Sequence, residues 1–375
     1  MLLDETCFFL AADFDKEAWH EDAGAYRETC RQLGLPALLE RSRSGSGGHI
    51  WLFFEEPVPA GLARRLAAYI LTETMERRPD IGLDSYDRFF PSQDTLPKGG
   101  FGNLIALPLQ KEPRERGCSV FLDEKFKPYP DQWAFLSTIR KIGRGDVGKI
   151  VRDAEDRGRV VGVRLASTDE DDGAPWTAPP SRRRKEPSLV GSLPESMELV
   201  LGNQIYVAKD TLSPGLRNRL LRLAAFQNPE FYRAQAMRLS TYGKPRIIAC
   251  AEDYPAHVGL PRGCLEDVKG LLSDLKIKPL FRDERWEGKP LDVSFNGVLR
   301  PEQKLAAEAM GRHDTGGVVR HYRFRQNCDR SLADRSTRRQ HACARPPHSA
   351  SKSVGGAIVN ISGAAEKGHR KNRRW

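Results

Sequence analysis

An apolar run at residues 6–13 ends in two aspartates, Asp13 and Asp15, that are separated by one residue. A run of this length predicts a buried strand, and side chains two apart on a strand project from the same face. Two adjacent carboxylates repel each other unless a cation lies between them, and hard divalent ions such as Mg²⁺ prefer oxygen ligands. The pair therefore predicts a metal site at a strand end. A solvated acidic strand end and the DxD metal site of sugar transferases are the alternatives for the pair alone.

A glycine-rich turn lies within residues 42–54, between two strand-like segments, and His49 begins the outgoing strand. Glycines allow backbone N–H groups to approach phosphates closely, so Ser46, His49 and the turn amides are candidate nucleotide-binding groups. Arg41 and Arg43 precede the turn at strand spacing. A phosphate contact and a solvated face are equally good interpretations of these two arginines.

Strands and helices follow one another without regular βαβ alternation, which favours an α+β fold. Further strands are predicted at residues 37–43, 49–55, 85–90 and 102–109, and further helices at residues 131–142 and 146–158. An acidic block, several prolines and a basic block make residues 166–188 a predicted linker. Residues 189–317 then predict a second, smaller α/β region, and residues 318–375 a disordered basic tail.

The net charge of +10 belongs to the tail. Residues 318–375 hold 14 Lys/Arg against 3 Asp/Glu, which leaves 46 basic and 47 acidic residues in the rest of the chain. The charge of the folded body is therefore no argument for nucleic-acid binding. No segment approaches the roughly 20 apolar residues of a membrane span, and no signal sequence is evident, so we expect a cytoplasmic protein without membrane association.

Basic and aromatic residues are interleaved in the second region, among them Phe231, Tyr232, Tyr242 and Arg246. Such a pattern is typical of surfaces that stack and neutralise single-stranded nucleic acid. Ordinary packing beside a solvated basic face is an equally good interpretation.

Three motifs in this order resemble the archaeo-eukaryotic primase superfamily, and most of all the primase-polymerase domain of TOTE conflict systems. They are DFD at residues 13–15, SGSGGH at residues 44–49, and YDRFFPSQD at residues 86–94 followed by GGFGNLIALPL at residues 99–109. The resemblance covers residues 5–165. It implies a catalytic domain with an RRM-like antiparallel sheet that carries the carboxylates.

The resemblance also implies the site. Asp13, Asp15 and a third carboxylate would hold two Mg²⁺ or Mn²⁺ ions, and His49 would contact the phosphates of the incoming NTP or dNTP. Asp87 is our choice for the third carboxylate. Asp94 is the alternative and Asp84 a more distant one, and Lys98 and Asn103 are weaker candidates for nucleotide binding.

Residues 299–303, LRPEQ, resemble the start of a DEAD/DEAH-type helicase, in which Gln303 would read adenine. After residues 313–316 the family would continue into a phosphate-binding loop, yet no GxxxxGK[ST] motif occurs in the chain. We therefore expect a truncated helicase portion without ATPase or helicase activity, followed by a tail with the composition of out-of-frame translation.

These observations predict a DNA primase-polymerase that performs template-directed nucleotidyl transfer with two metal ions. Its expected partners are a DNA or RNA template and primer, nucleotides, and the helicase and nuclease modules of the same conflict system. The competing hypothesis is a catalytically inactive nucleic-acid-binding remnant of a primase-helicase protein.

Overall fold

The computed structural model describes residues 1–100, 104–161, 163, 189, 193–286, 301, 304–305, 308, 316–317 and 358–359. The chain forms two compact units. The first comprises Met1–Leu193 and Lys209–Ala251, and the second Pro194–Ala208 and Glu252–Trp375. The predicted linker falls almost wholly outside the described residues, as does most of the predicted tail, and the domain limits stay a prediction.

The first unit is built on a five-stranded sheet in the order β4-β1-β3-β2-β5, in which every neighbouring pair is antiparallel. Its strands are β1 (Thr6–Phe14), β2 (Leu38–Arg41), β3 (Gly48–Pro59), β4 (Phe89–Phe90) and β5 (Val120–Leu122). The helices between them are α1 (Trp19–Gln32), α2 (Ala60–Met75), α3 (Lys111–Glu115), α4 (Gln132–Ser137) and α5 (Arg144–Asp156). The predictions of an α+β fold and of an antiparallel sheet are confirmed.

Alternate residues of β1 face two different hydrophobic clusters. Leu10, Ala12 and Phe14 belong to the large core that also contains the apolar stripes of α1, α2 and α5. Ala11 packs instead with Leu38, Trp51 and Phe121 in a smaller cluster on the other face. By this alternation, Asp13 lies on the face of Ala11, away from the three helices.

Two predicted strands differ from the structure. Within residues 85–90, only Phe89–Phe90 are a strand, since Leu83–Asp87 form a 3₁₀ helix and Pro91 has no N–H with which to continue the ladder. Residues 104–109 are not a strand. Leu104 and Leu107 are exposed there, so no sheet buries this apolar run. The helix predicted at residues 131–142 is also shorter, ending at Ser137.

Lys209–Ala251 lie in the first unit, although the sequence placed this segment with the second region. It forms α6 (Pro214–Leu223), β8 (Ala225–Gln227), α7 (Pro229–Ala236) and β9 (Ile247–Ala249), with β8 and β9 paired antiparallel. Of its interleaved aromatic residues, Phe231 is buried while Tyr242 is exposed.

The second unit contains a mixed sheet in the order β10-β11-β7-β6-β12. Its elements are β6 (Ser196–Leu201), β7 (Ile205–Ala208), β10 (Glu252–Asp253), β11 (His257–Leu260), α8 (Leu265–Asp274) and β12 (Lys278–Asp283). Strands β6 and β12 are parallel and the other pairs antiparallel. A short ladder joins β13 (Gly316–Gly317) to β14 (Ile358–Val359). Among the described helices, none is long and apolar enough to span a membrane.

Candidate active site

The two aspartates lie at the end of β1, where the glycine turn meets it. Asp13 is paired with His49 of β3, and Phe14 with Gly48. A Cβ on Gly47 would lie 2.7 Å from the carbonyl oxygen of Phe14, and one on Gly48 would overlap the Trp19 ring. Only glycine allows the turn to approach the strand end this closely. The turn is thereby held next to Asp15.

His49 connects Asp13 to a buried carboxylate. The Nε2 atom of His49 lies 3.5 Å from Oδ1 of Asp13, and Nδ1 lies 3.0 Å from Oε2 of Glu40. Because a carboxylate accepts hydrogen bonds, Nδ1 carries the proton in this contact. The ring is therefore oriented with Nε2 toward the aspartates.

Glu40 is itself fixed by several donors. It is 1% exposed, and it accepts hydrogen bonds from Nε1 of Trp51 at 2.7 Å and from Oγ of Ser119 at 3.2 Å. A buried carboxylate with this many partners is a rigid support for the imidazole. The sequence did not identify Glu40; its place opposite His49 in the β2–β3 register was the available signal.

Arg88 supplies the cation of the site. Its Nη1 forms an ion pair with Oδ2 of Asp15 and lies 3.9 Å from Oδ2 of Asp13. Its carbonyl oxygen accepts the backbone N–H of Asp13 at 3.0 Å. The sequence did not identify Arg88 either. The available signal was its spacing of two residues from Phe90, which packs in the smaller cluster. We call Asp13, Asp15, His49 and Arg88 the acidic edge.

Burial raises the pKa of Asp13, and the charge of Asp15 raises it further, against the opposing effects of His49 and Arg88. The Asp13 side chain is 25% exposed and that of Asp15 is 50% exposed. The raised pKa therefore reflects burial, since the charges of His49 and Arg88 together outweigh that of Asp15. Added positive charge would stabilise the ionised pair.

The three candidates for the third carboxylate have cationic or backbone partners of their own. Asp87 accepts the backbone N–H of Arg246 at 2.9 and 3.1 Å, and burial raises its pKa. Asp94 lies 3.0 Å from Nε of Arg64, and Asp84 lies 2.8 Å from Nζ of Lys16. Among the described residues, no group of three or more His, Cys, Asp and Glu side chains is placed to hold a metal ion.

The position of Asp87 follows from the strand that it precedes. Phe89 packs in the core on the helix side of the sheet, whereas Phe90 packs in the smaller cluster on the other face. Arg88 shares the side of Phe90 and reaches the acidic edge. Asp87 instead faces Arg64 of α2 and Arg246.

The candidate nucleotide-binding residues differ in their exposure and in their hydrogen-bond partners. Ser46 and Arg43 are exposed in and beside the glycine turn. Arg41 donates to the carbonyl oxygens of Gly117 and Phe126. Lys98 is exposed, and its backbone N–H donates to the carbonyl oxygen of Arg238 at 2.9 Å. Asn103 and Gln303 lie outside the described residues.

The residues of the acidic edge fit a hard divalent cation in chemistry, since two partly accessible carboxylates lie side by side and offer oxygen ligands. A buried, oriented imidazole beside them can contact an anion. The turn next to Asp15 presents the exposed hydroxyls of Ser44 and Ser46, which are groups that bind phosphate. Together they make a site at which a metal ion and a phosphorylated substrate can meet.

Comparisons with known proteins agree with the N-terminal part of this description. A comparison with curated proteins found no match to the chain, and nothing supports a helicase portion. The mixed α+β unit that carries the acidic edge corresponds to a family match over residues 1–150, and that family is the archaeo-eukaryotic primase domain of TOTE conflict systems.

Proposed function

We propose that residues 1–165 form a primase-polymerase domain that transfers nucleotides to a 3′-hydroxyl under the direction of a template. The observation that carries the proposal is the convergence of Asp13, Asp15 and His49 at one strand end, directly beside the glycine turn. The family match over residues 1–150 supports the same reaction class.

Asp13 and Asp15 would hold Mg²⁺ or Mn²⁺. When bound, two such ions activate a hydroxyl as a nucleophile and neutralise a pyrophosphate leaving group. The raised pKa of Asp13 supports this assignment, because a carboxylate whose ionised form is disfavoured by burial gains from a bound cation.

Asp87 is our proposed third ligand, and Asp94 the alternative. For Asp87 to serve, its carboxylate has to leave the backbone N–H of Arg246. For Asp94, the ion pair with Arg64 has to open. Either change brings the carboxylate from the helix side to the acidic edge, and a divalent cation would favour it through its charge.

The chain's own groups would position the nucleotide. Nε2 of His49, which Glu40 orients, and the Ser46 hydroxyl would contact the triphosphate of an NTP or dNTP. Arg88 would move from the carboxylates toward the phosphates once metal neutralises the pair. Arg43, Lys98 and Asn103 are further proposed contacts to the nucleotide. The template and primer, and the helicase and nuclease modules of a conflict system, are its proposed partners.

A nucleic-acid-binding remnant without catalysis is the second candidate. The observation that favours it is the placement of Asp87, Asp94 and Asp84, each of which is held by a partner away from the acidic edge. In that case Asp13 and Asp15 would bind metal weakly and no extension would occur.

The test is primer extension on a short DNA template with Mn²⁺ and labelled dNTPs or NTPs. We expect the wild type to extend the primer and Asp13→Ala/Asp15→Ala to lose at least about 10²–10³-fold in rate. The matched control is Asp153→Ala/Asp156→Ala, which removes two exposed carboxylates of α5 and should extend normally. A folded wild type that binds DNA but never extends would establish the remnant instead.

A further inference from the structure

The interleaved basic and aromatic residues of the first unit divide into an internal and an exposed group. Arg246 belongs to the internal group, because it is buried and its guanidinium lies 4.2 Å from the centroid of the Phe231 ring. It also donates, together with Arg64, to the carbonyl oxygen of Ser92. We call these two arginines the Arg64–Arg246 pair. The exposed group lies in the connection from α7 to β9, and we call residues 237–245 the basic loop.

The base of the basic loop is anchored to the loop that follows β4. The side-chain amide of Gln93 donates to the hydroxyl of Thr241. At the end of α7, the side chain of Gln235 donates to Oδ2 of Asp94 at 3.1 Å and accepts the backbone N–H of Asp94 at 3.3 Å. Within the loop, the N–H of Lys244 donates to the carbonyl oxygen of Thr241 at 3.0 Å. A loop that is already ordered loses less conformational entropy when it binds a partner.

The basic loop exposes large apolar side chains. Tyr242 is 87% exposed, Met237 is 56% exposed and Leu239 is 53% exposed. Packing of the folded unit therefore does not explain the Tyr242 ring. Large apolar side chains that are grouped on a surface mark interaction sites.

The charge beside these apolar side chains is positive. Residues 231–251 contain four basic and no acidic residues. Arg238 pairs with Glu5 at 2.8 Å and stays half-exposed. Within the part of the chain that the structure describes, Arg233 and Lys244 have no carboxylate within ion-pair distance. Cations beside an exposed aromatic ring are typical of surfaces that bind single-stranded nucleic acid.

The basic loop contacts the end of β1 that lies opposite the acidic edge. Arg238 reaches Glu5, which directly precedes β1, whereas Asp13 lies near the other end of the strand. At about 3.3 Å per residue, the eight positions between Glu5 and Asp13 correspond to about 26 Å. A single nucleotide bound at Asp13 does not span this distance. A strand of about eight stacked nucleotides does, at about 3.4 Å each, so the position of the loop favours a polymer.

We propose that the basic loop binds single-stranded nucleic acid, with a base stacked on Tyr242 and phosphates on Arg238 and Lys244. Stacking tolerates any sequence, because every base has a π-face, and a protein that holds a template needs this tolerance. Binding by the loop does not depend on the proposed nucleotidyl transfer, but the role of the bound strand as its template rests on that function.

The test is fluorescence anisotropy of the full chain with a labelled oligo-dT strand of about 20 nucleotides. Tyr242→Ala should weaken binding about 5- to 100-fold, whereas Tyr242→Phe keeps the ring and should bind like the wild type. Arg238→Gln/Lys244→Gln should reduce the slope of log affinity against log salt by about 1.4, since each phosphate contact contributes about 0.7. The matched control, Lys149→Gln/Arg152→Gln, removes two exposed cations of α5 and should keep the wild-type slope. Residues 318–375 are the same in every variant, so differences between variants report on the loop.

Primer extension separates this proposal from the proposed function. Tyr242→Ala should raise the KM for the template and leave kcat unchanged, and Asp13→Ala/Asp15→Ala should bind oligo-dT at least as tightly as the wild type. A wild type that binds oligo-dT through Tyr242 but never extends a primer would support the loop and contradict the polymerase. Equal oligo-dT binding by the wild type, Tyr242→Ala and Arg238→Gln/Lys244→Gln would overturn the proposal, whether or not primers are extended.

Discussion

The acidic edge and the Arg64–Arg246 pair lie on the two faces of one sheet, and both combine aspartates with arginines. At the acidic edge, two half-accessible carboxylates share one arginine and one histidine. On the helix side, two buried arginines face Asp87 and Asp94, and burial together with the charge of Arg246 lowers the pKa of Arg64 to about 9. The first keeps its carboxylates partly accessible, whereas the second keeps its arginines buried.

The largest expected effects come from replacing one carboxylate in each region, Asp13 at the acidic edge and Asp87 on the helix side. Asp13→Asn should reduce primer extension at least about 10²-fold, because it removes a proposed metal ligand. Asp87→Asn should also reduce extension by about 10²-fold if the carboxylate moves to the acidic edge as proposed. The measurement is the extension rate per folded molecule, with thermal unfolding of each variant in parallel.

Asp87 would instead belong to the helix side alone if Asp87→Asn lowered the unfolding temperature and left the extension rate intact. Asp94 would then be the candidate for the third metal ligand, and the extension rate of Asp94→Asn would test it. Asp13→Asn acts as the internal reference, since it alters the acidic edge in either case.

A buried support distinguishes the acidic edge from an ordinary solvated strand end. Glu40→Ala should reduce the free energy of unfolding by about 2–4 kcal/mol, because it leaves the donors of Trp51 and His49 unpaired in a buried space. In a variant that still folds, the KM for the nucleotide should rise more than kcat falls, since His49 loses its orientation. Urea unfolding and steady-state kinetics measure the two effects.

Glu56→Ala is the matched control, as it removes an exposed glutamate of β3, and it should alter neither quantity. A Glu40→Ala protein with wild-type stability and KM would show that the Glu40–His49 contact does not support the site.

The pH dependence of stability should reveal the burial of the Asp13 carboxylate at the acidic edge. Because the pKa of Asp13 is raised above its usual 3.8, the folded protein holds this proton more tightly than the unfolded chain. The stabilisation is full below pH 3.8 and is lost as the pH rises through the raised pKa. Relative to wild type in metal-free buffer, Asp13→Asn should therefore gain unfolding temperature between pH 4 and pH 7.

Asp123 provides a control of the opposite sign. Backbone N–H groups of Lys127 and Lys125 lower its pKa, so its contribution to stability is present above pH 3.8 and is lost on acidification. Asp123→Asn should lose unfolding temperature relative to wild type at pH 7. Thermal scans at the two pH values check both signs, and a parallel response of the two variants would contradict the assignment.

The smallest expected effect concerns the cation that the acidic edge already contains. Arg88→Gln should raise the affinity for Mn²⁺ about two- to fivefold, since Arg88 competes for Asp15 through a partly exposed ion pair of modest strength. Mn²⁺ binding measured by electron paramagnetic resonance tests this, with Arg152→Gln as the matched control. Weaker Mn²⁺ binding in Arg88→Gln would show that Arg88 supports the carboxylates and does not compete with metal.

Much of the acidic edge could be predicted from the sequence because its determinants are local. The apolar run fixed a strand, the strand period placed Asp13 and Asp15 on one face, and the glycines before His49 required a tight turn. The α+β class followed from the irregular order of helices and strands, and the antiparallel sheet followed from the family resemblance.

The tertiary structure decided the contacts between side chains that the periodicity of the sequence does not encode. Arg88 reaches the acidic edge and Asp87 lies elsewhere, because β4 is only two residues long and follows a 3₁₀ turn. Glu40 supports His49 through pairing across β2 and β3, and Arg246 meets Arg64 although 182 positions separate them in the chain. Contacts between distant segments depend on the packing of whole elements, and for that reason only the folded unit places these cations beside their carboxylates.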